Sequence, residues 1–119
     1  MPDPNEKILD LDAPNWTIYF GFDSFALREG YKAAALGKWL MENGGTVSLS
    51  GFASEEGTEA YNLALGAKRA QTVRDYLEAY GVPVERITWQ SYGEENQVTK
   101  DRTKFHLNRR VEIKIEGVN

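Results

Sequence analysis

Six stretches of the chain carry a readable hydrophobic period, and their order predicts the fold. Residues 17–22 read TIYFGF, β-branched and aromatic, and predict a strand that Asp23 and Ser24 end. Gly21 within it implies a bulge or a close backbone approach. Residues 28–43 place Ala33, Leu36 and Leu40 at helical spacing, and Gly44-Gly45 supplies a stop. In residues 46–50, Val47 and Leu49 alternate with polar neighbours, as a strand requires. Residues 51–57 read as a loop. Thr58 is a natural N-cap, Glu59 suits the first turn of a helix, and the helix runs to Tyr80 before Gly81. Its expected core stripe is Leu63, Gly66/Ala67, Ala70, Val73 and Leu77. Residues 87–92, ITWQSY, predict a third strand. Residues 93–107 form a polar loop long enough to suggest a functional rim. Residues 110–115, RVEIKI, predict a strand with one wet face.

The predicted fold class is α+β: β-α-β-α-β-β, with two helices packed on one face of a four-stranded mixed sheet. Residues 1–15 are polar, contain three prolines and read as a tail or linker. The domain is expected over 16–116, with a short tail at 117–119.

Composition removes several function classes. The uncharged stretch from Gly44 to Ser54 is short and rich in Gly and Ser, whereas a membrane span needs about 20 mostly apolar residues. Cysteine is absent, which excludes disulfides and thiolate metal sites. The opening MPDPNEKILDLDAP does not read as a signal peptide. His106 is the only histidine, which leaves no multi-histidine metal site and no expected cofactor. A net charge of −4 disfavours a general nucleic-acid binder. The charge is uneven, however: Lys100, Arg102, Lys104, Arg109 and Arg110 cluster around a lone Asp101.

Three groups of residues could carry chemistry. Asn62 and Arg69 lie seven apart on the long helix, hence on one face about 10 Å apart along the axis. Arg69 borders the core stripe, where its guanidinium could grip a carboxylate bidentately or reach solvent. Arg109 and Arg110 open the last strand and point to opposite sides, so that one could line a ligand site while the other sits in solvent. Asp23 could hold an ammonium group, orient Arg69 or simply form a turn with Ser24. The pairs Glu55-Glu56 and Glu94-Glu95 are expected to be solvated rather than hydrolytic. These residues describe a non-catalytic domain with an arginine-lined cleft for a small anionic ligand.

Several segments together resemble the OmpA-like C-terminal domain, in the branch of the peptidoglycan-associated lipoproteins. They are Tyr19-Phe20-Gly21-Phe22-Asp23, Tyr61-Asn62-Leu63-Ala64-Leu65-Gly66-Ala67-Lys68-Arg69-Ala70, Ser91-Tyr92-Gly93-Glu94-Glu95 and Asn108-Arg109-Arg110-Val111-Glu112. The resemblance implies non-covalent binding of the peptidoglycan stem peptide through its diaminopimelate side chain. It implies a periplasmic location at the outer membrane, envelope protein partners, and tethering of the outer membrane or an envelope complex to the wall. It also implies that Arg69 meets the ligand carboxylate, that Asn62 and Asp23 help line the cleft, and that Arg109 sits at the rim.

One departure stands out. The loop that usually reads Gly-His-Thr-Asp in this family is Gly51-Phe52-Ala53-Ser54 here. Ser54 replaces the aspartate that receives the ligand's ammonium group, a change expected to cost about 1.5–3 kcal/mol. Ser54 keeps a neutral acceptor, and Glu55 or Glu56 follows within reach to compensate. The alternative expectation is a structural or protein-interaction domain with altered wall binding, its loop made more apolar by Phe52.

Overall fold

The computed structural model describes residues 16–117. The expected tail at 1–15 and the last two positions of the expected 117–119 tail lie outside the described residues. Four strands and two helices follow one another as β1 Trp16–Tyr19, α1 Gly30–Asn43, β2 Thr46–Phe52, α2 Glu59–Tyr80, β3 Ile87–Gly93 and β4 Arg110–Glu116. Short 3-10 turns occupy Val84–Arg86 and Arg102–Leu107. The sheet order is β1-β4-β2-β3. β4 lies between β1 and β2 and is antiparallel to both, while β2 and β3 are parallel. The expected α+β mixed-sheet fold is therefore the observed one.

Alternation builds the core. The register sets Ile18 opposite Val111, Trp16 opposite Ile113, and Leu49 opposite Ile113. Residues paired across a ladder share a face, and all five are buried. Ala33, Leu36 and Leu40 of α1 and Ala70, Val73 and Leu77 of α2 close over that face.

α2 is bounded by local chemistry. The Thr58 hydroxyl accepts from the Tyr61 amide at 3.1 Å, and Gly81 ends the helix at φ +122°, a conformation that side-chain-bearing residues rarely adopt. Its inner face differs from the expected one. Leu63 is 50% exposed, and the buried stripe is Asn62, Leu65, Gly66, Arg69, Ala70, Val73 and Leu77. Two polar residues hold core positions, so a search for apolar letters alone rotates the stripe.

Other boundaries shift for physical reasons. β1 stops at Tyr19, because residues 21–24 turn: the Ser24 amide donates to the Gly21 carbonyl at 3.2 Å, and Asp23 sits at φ +50°. α1 begins two residues late. The Glu29 carboxylate accepts from the Tyr19 amide at 2.6 Å instead of capping the helix. β2 runs through Phe52, which the sequence placed in a loop. Phe52 is buried, stacked on Tyr92 with centroids 5.4 Å apart, and covered by the Arg110 guanidinium at 3.9 Å. It belongs to the packed interior, so it gives the loop no apolar outer surface.

The segment 93–107 is more ordered than a plain loop. The Asp101 carboxylate caps the Arg102–Leu107 turn by accepting from the Thr103 amide at 3.0 Å. The Thr103 hydroxyl, which donates to the same carboxylate at 2.7 Å, and then the amide hold the Asp101 carboxyl below its usual pKa. Asn108, fully buried, accepts from the Val98 and Thr99 amides at 2.8 and 3.1 Å and donates to the Thr99 carbonyl at 2.8 Å.

α2 approaches the sheet through two glycines. A Cβ on Gly51 would lie 1.8 Å from the Gly66 carbonyl oxygen, and one on Gly66 would lie 2.4 Å from Ser91 Oγ. Gly51→Ala is therefore expected to cost about 3 kcal/mol or more in urea denaturation, as severe overpacking does. Gly30→Ala, whose Cβ would meet nothing within 4 Å, is expected to be neutral or to stabilise by about 0.5 kcal/mol.

Candidate functional site

The side chain at the centre of the molecule is a cation. Arg69 has no exposed surface and is the largest fully buried side chain. Its Nε donates to the Ser24 carbonyl at 2.8 Å, Nη1 to the Phe52 carbonyl at 2.9 Å, and Nη2 to the Gly21 carbonyl at 3.1 Å. The turn after β1 exists in the form needed to aim two of those carbonyls, and the extra length of β2 supplies the third. Of the two placements the sequence left open, the solvent-reaching one is therefore not adopted. Arg69 is oriented by backbone carbonyls, not by Asp23. A guanidinium carries five N–H donors. Three are committed here, which leaves one on each Nη.

Beside it lies a cavity of about 240 Å³ lined by all five sequence-predicted positions, Asp23, Ser54, Asn62, Arg69 and Arg109. Arg109 donates from Nε to the Phe20 carbonyl at 3.0 Å. Asn62, 2% exposed, donates from Nδ2 to the Gly57 carbonyl at 3.3 Å and to Glu94 Oε1 at 3.1 Å. It thus ties the start of α2 to the loop on either side. Asp23 accepts a hydrogen bond from the Tyr61 hydroxyl, which raises the Tyr61 pKa above its ordinary value. Ser54 is buried, and its hydroxyl donates to Glu56 Oε1.

Five further residues complete the lining: Phe22, Glu56, Gly57, Tyr61 and Leu65. Glu56 carries the most chemistry among them. Its place beside Glu55 in a polar loop gives no sign of the contact that holds it. Arg110 corrects another expectation. It does not stand in solvent opposite Arg109. It is buried, pairs with Glu112 at 2.7 Å, and donates to the Asn108 and Asn96 carbonyls at 3.2 and 3.0 Å. Its task is to fasten the 96–108 segment over Phe52.

The electrostatics follow from this packing. Burial, and then the like charge of Arg109, lower the Arg69 pKa to about 10, while Asp23 and Glu56 oppose the shift. Arg69 therefore remains a cation at neutral pH. Two guanidinium groups close together in a partly dehydrated site repel one another, and an anion placed between them relieves that repulsion. The cavity therefore carries fixed groups of both signs, the guanidinium groups of Arg69 and Arg109 beside the carboxylates of Asp23 and Glu56.

Arg69→Met would take the guanidinium donors away from three carbonyls at least partly shielded from water, leaving that of Gly21 only the 3.2 Å bond from the Ser24 amide. We expect a loss of about 3–5 kcal/mol in chemical denaturation, a large part of an ordinary domain's stability. Arg69→Lys should recover only part of it, because one ammonium cannot reproduce the planar fork.

Comparison with known proteins places this architecture. The model of the OmpA family matches residues 19–110. The peptidoglycan-associated lipoprotein of Pseudomonas putida is 41% identical over 102 residues, covering 82% of this chain and 61% of that protein. The peptidoglycan-associated lipoprotein of Rhizobium meliloti is 40% identical over 106 residues, covering 84% and 60%. The chain thus spans about three fifths of the length of these relatives. Among solved structures, the peptidoglycan-associated lipoprotein from Burkholderia pseudomallei superposes with a TM-score of 0.77 at 29% identity, covering 90% of this chain and 97% of that one. The cell wall anchor of the T6SS from Pseudomonas aeruginosa superposes with a TM-score of 0.69 at 27% identity, covering 82% and 76%. With the family model spanning most of the chain, and with fold, register and buried arginine in place, the chain belongs to the OmpA family.

Proposed function

We propose that this domain binds the peptide stem of peptidoglycan non-covalently, through the diaminopimelate side chain. It thereby tethers the outer membrane, or a complex of the envelope, to the cell wall from the periplasm. The observation that carries this reading is Arg69. A buried cation with two uncommitted donors, next to Arg109 at a small cavity, is suited to one bidentate carboxylate. The names of the relatives supply the ligand class: peptidoglycan-associated lipoproteins and a cell wall anchor. The cavity's work on this reading is to hold charge, without a bond-breaking step.

The alternative is an interaction domain that has lost wall binding. It drew on two residues, Ser54 and Phe52. The burial of Phe52 against Tyr92 and Arg110 removes the second support and leaves Ser54 alone.

Calorimetric titration with a diaminopimelate-containing stem peptide, beside a lysine-containing one, tests the proposal. Lysine lacks the second carboxylate, so binding is expected to be at least tenfold weaker, the equivalent of about 1.4 kcal/mol. Arg109→Gln is expected to weaken diaminopimelate binding about ten- to a hundredfold, as loss of one charge-assisted hydrogen bond does. Equal affinity for both peptides, or no binding of either, overturns the proposal.

A further inference from the structure

The cavity holds more than anion-binding groups. Two carboxylates line it alongside Arg69 and Arg109, those of Asp23 and Glu56. A site that offers fixed charges of both signs recognises a group carrying both signs, such as the free amino-acid end of a side chain. The carboxylate half has an obvious receptor in Arg69. The receptor for the cationic half has to be found among the acids.

Four acids are close enough in the fold to be compared. Glu55 precedes Glu56 but does not line the cavity. Glu94 spends Oε1 on the Asn62 amide and does not line it either. Asp23 lines it, but belongs to the segment whose Gly21 and Ser24 carbonyls hold Arg69. Its charge, like that of Glu56, acts on that guanidinium, and its Oδ1 already takes the Tyr61 hydroxyl. Glu56 stands in the loop between β2 and α2, apart from that segment. Its side chain also faces the adjoining cavity lined by Arg102, His106 and Arg109. Among the described residues neither it nor Asp23 makes an ion pair within 4 Å.

Glu56 is also held in place. The buried Ser54 hydroxyl donates to Oε1, which fixes the carboxylate and leaves Oε2 for another donor. A long side chain otherwise loses rotamer freedom when it binds. An internal hydrogen bond that orders it beforehand reduces that loss.

We infer that Glu56, positioned by Ser54, is the receptor for the ligand's ammonium group, so that a serine–glutamate pair supplies the charge that a single aspartate at position 54 would otherwise provide. The inference rests on the proposed stem-peptide binding and specifies its cationic half. Ser54 acts through Glu56, as a positioning residue. Because Glu56 is exposed and accepts a single side-chain hydrogen bond, its replacement spares the core.

The test separates the two charges of the ligand. Binding is measured by calorimetry for a stem peptide carrying diaminopimelate and for one carrying 2-aminopimelate, which keeps the carboxylate and lacks the ammonium. The unaltered domain is expected to prefer the first at least tenfold. Glu56→Gln is expected to bring that ratio close to one. The double variant Ser54→Asp/Glu56→Gln is expected to restore it, since the charge returns one residue pair earlier in the same loop. If Glu56→Gln keeps the preference, or Asp23→Asn abolishes it while Glu56→Gln does not, the assignment of Glu56 is overturned and stem binding stands. If the unaltered domain binds neither peptide, the reading of the whole site falls, and the assignment with it.

Discussion

A single buried guanidinium determines how the rest of the molecule is arranged. Taking an arginine out of water is costly, and the cost is tolerable only when its donors meet well-placed acceptors. Arg69 meets three, drawn from the turn after β1 and the end of β2. The turn must therefore bring two carbonyls to the same point, and β2 must extend to Phe52. α2 must lie close enough to the sheet for the side chain to reach both. Gly51 and Gly66 permit that approach, because neither has a Cβ at the point of contact. The cavity is what remains beside this arrangement, so its shape is a by-product of burying the cation.

Polar residues at core positions explain where the sequence was readable and where it misled. The caps of α2 were legible because Thr58 and Gly81 act on their nearest neighbours. The strands were legible because Val47, Leu49, Val111 and Ile113 alternate with polar residues along one chain. The stripe of α2 was not, since Asn62 and Arg69 occupy inward positions and Leu63 points out. Arg69 could be seen to border the core. Its three acceptors, at residues 21, 24 and 52, are brought to it only by the fold.

Two misread residues, Phe52 and Arg110, share a cause. Phe52 looked like an exposed apolar residue because its covers, Tyr92 and Arg110, are 40 and 58 positions away. Arg110 looked like a solvent-facing charge because Asn96 and Asn108, which accept its hydrogen bonds, lie in a segment without periodicity. The contacts of Phe52 with Tyr92 and Arg110, and of Arg110 with Asn96, join residues that only the tertiary fold brings together.

β1 has a mechanical meaning on the proposed reading of the domain as a tether. Its four residues pair only with β4, Trp16 against Ile113 through Tyr19 against Arg110. Its far end leads directly into Phe20 and Gly21, whose carbonyls hold Arg109 and Arg69. Tension applied ahead of Trp16 and resisted at the cavity runs along the axis of this strand. The backbone of β1 carries that load to the two carbonyls, and the ladder to β4 passes part of it into the sheet along the strand direction. The edge strand with the shortest ladder is thus the covalent link between the chain ahead of it and the carbonyls at the cavity.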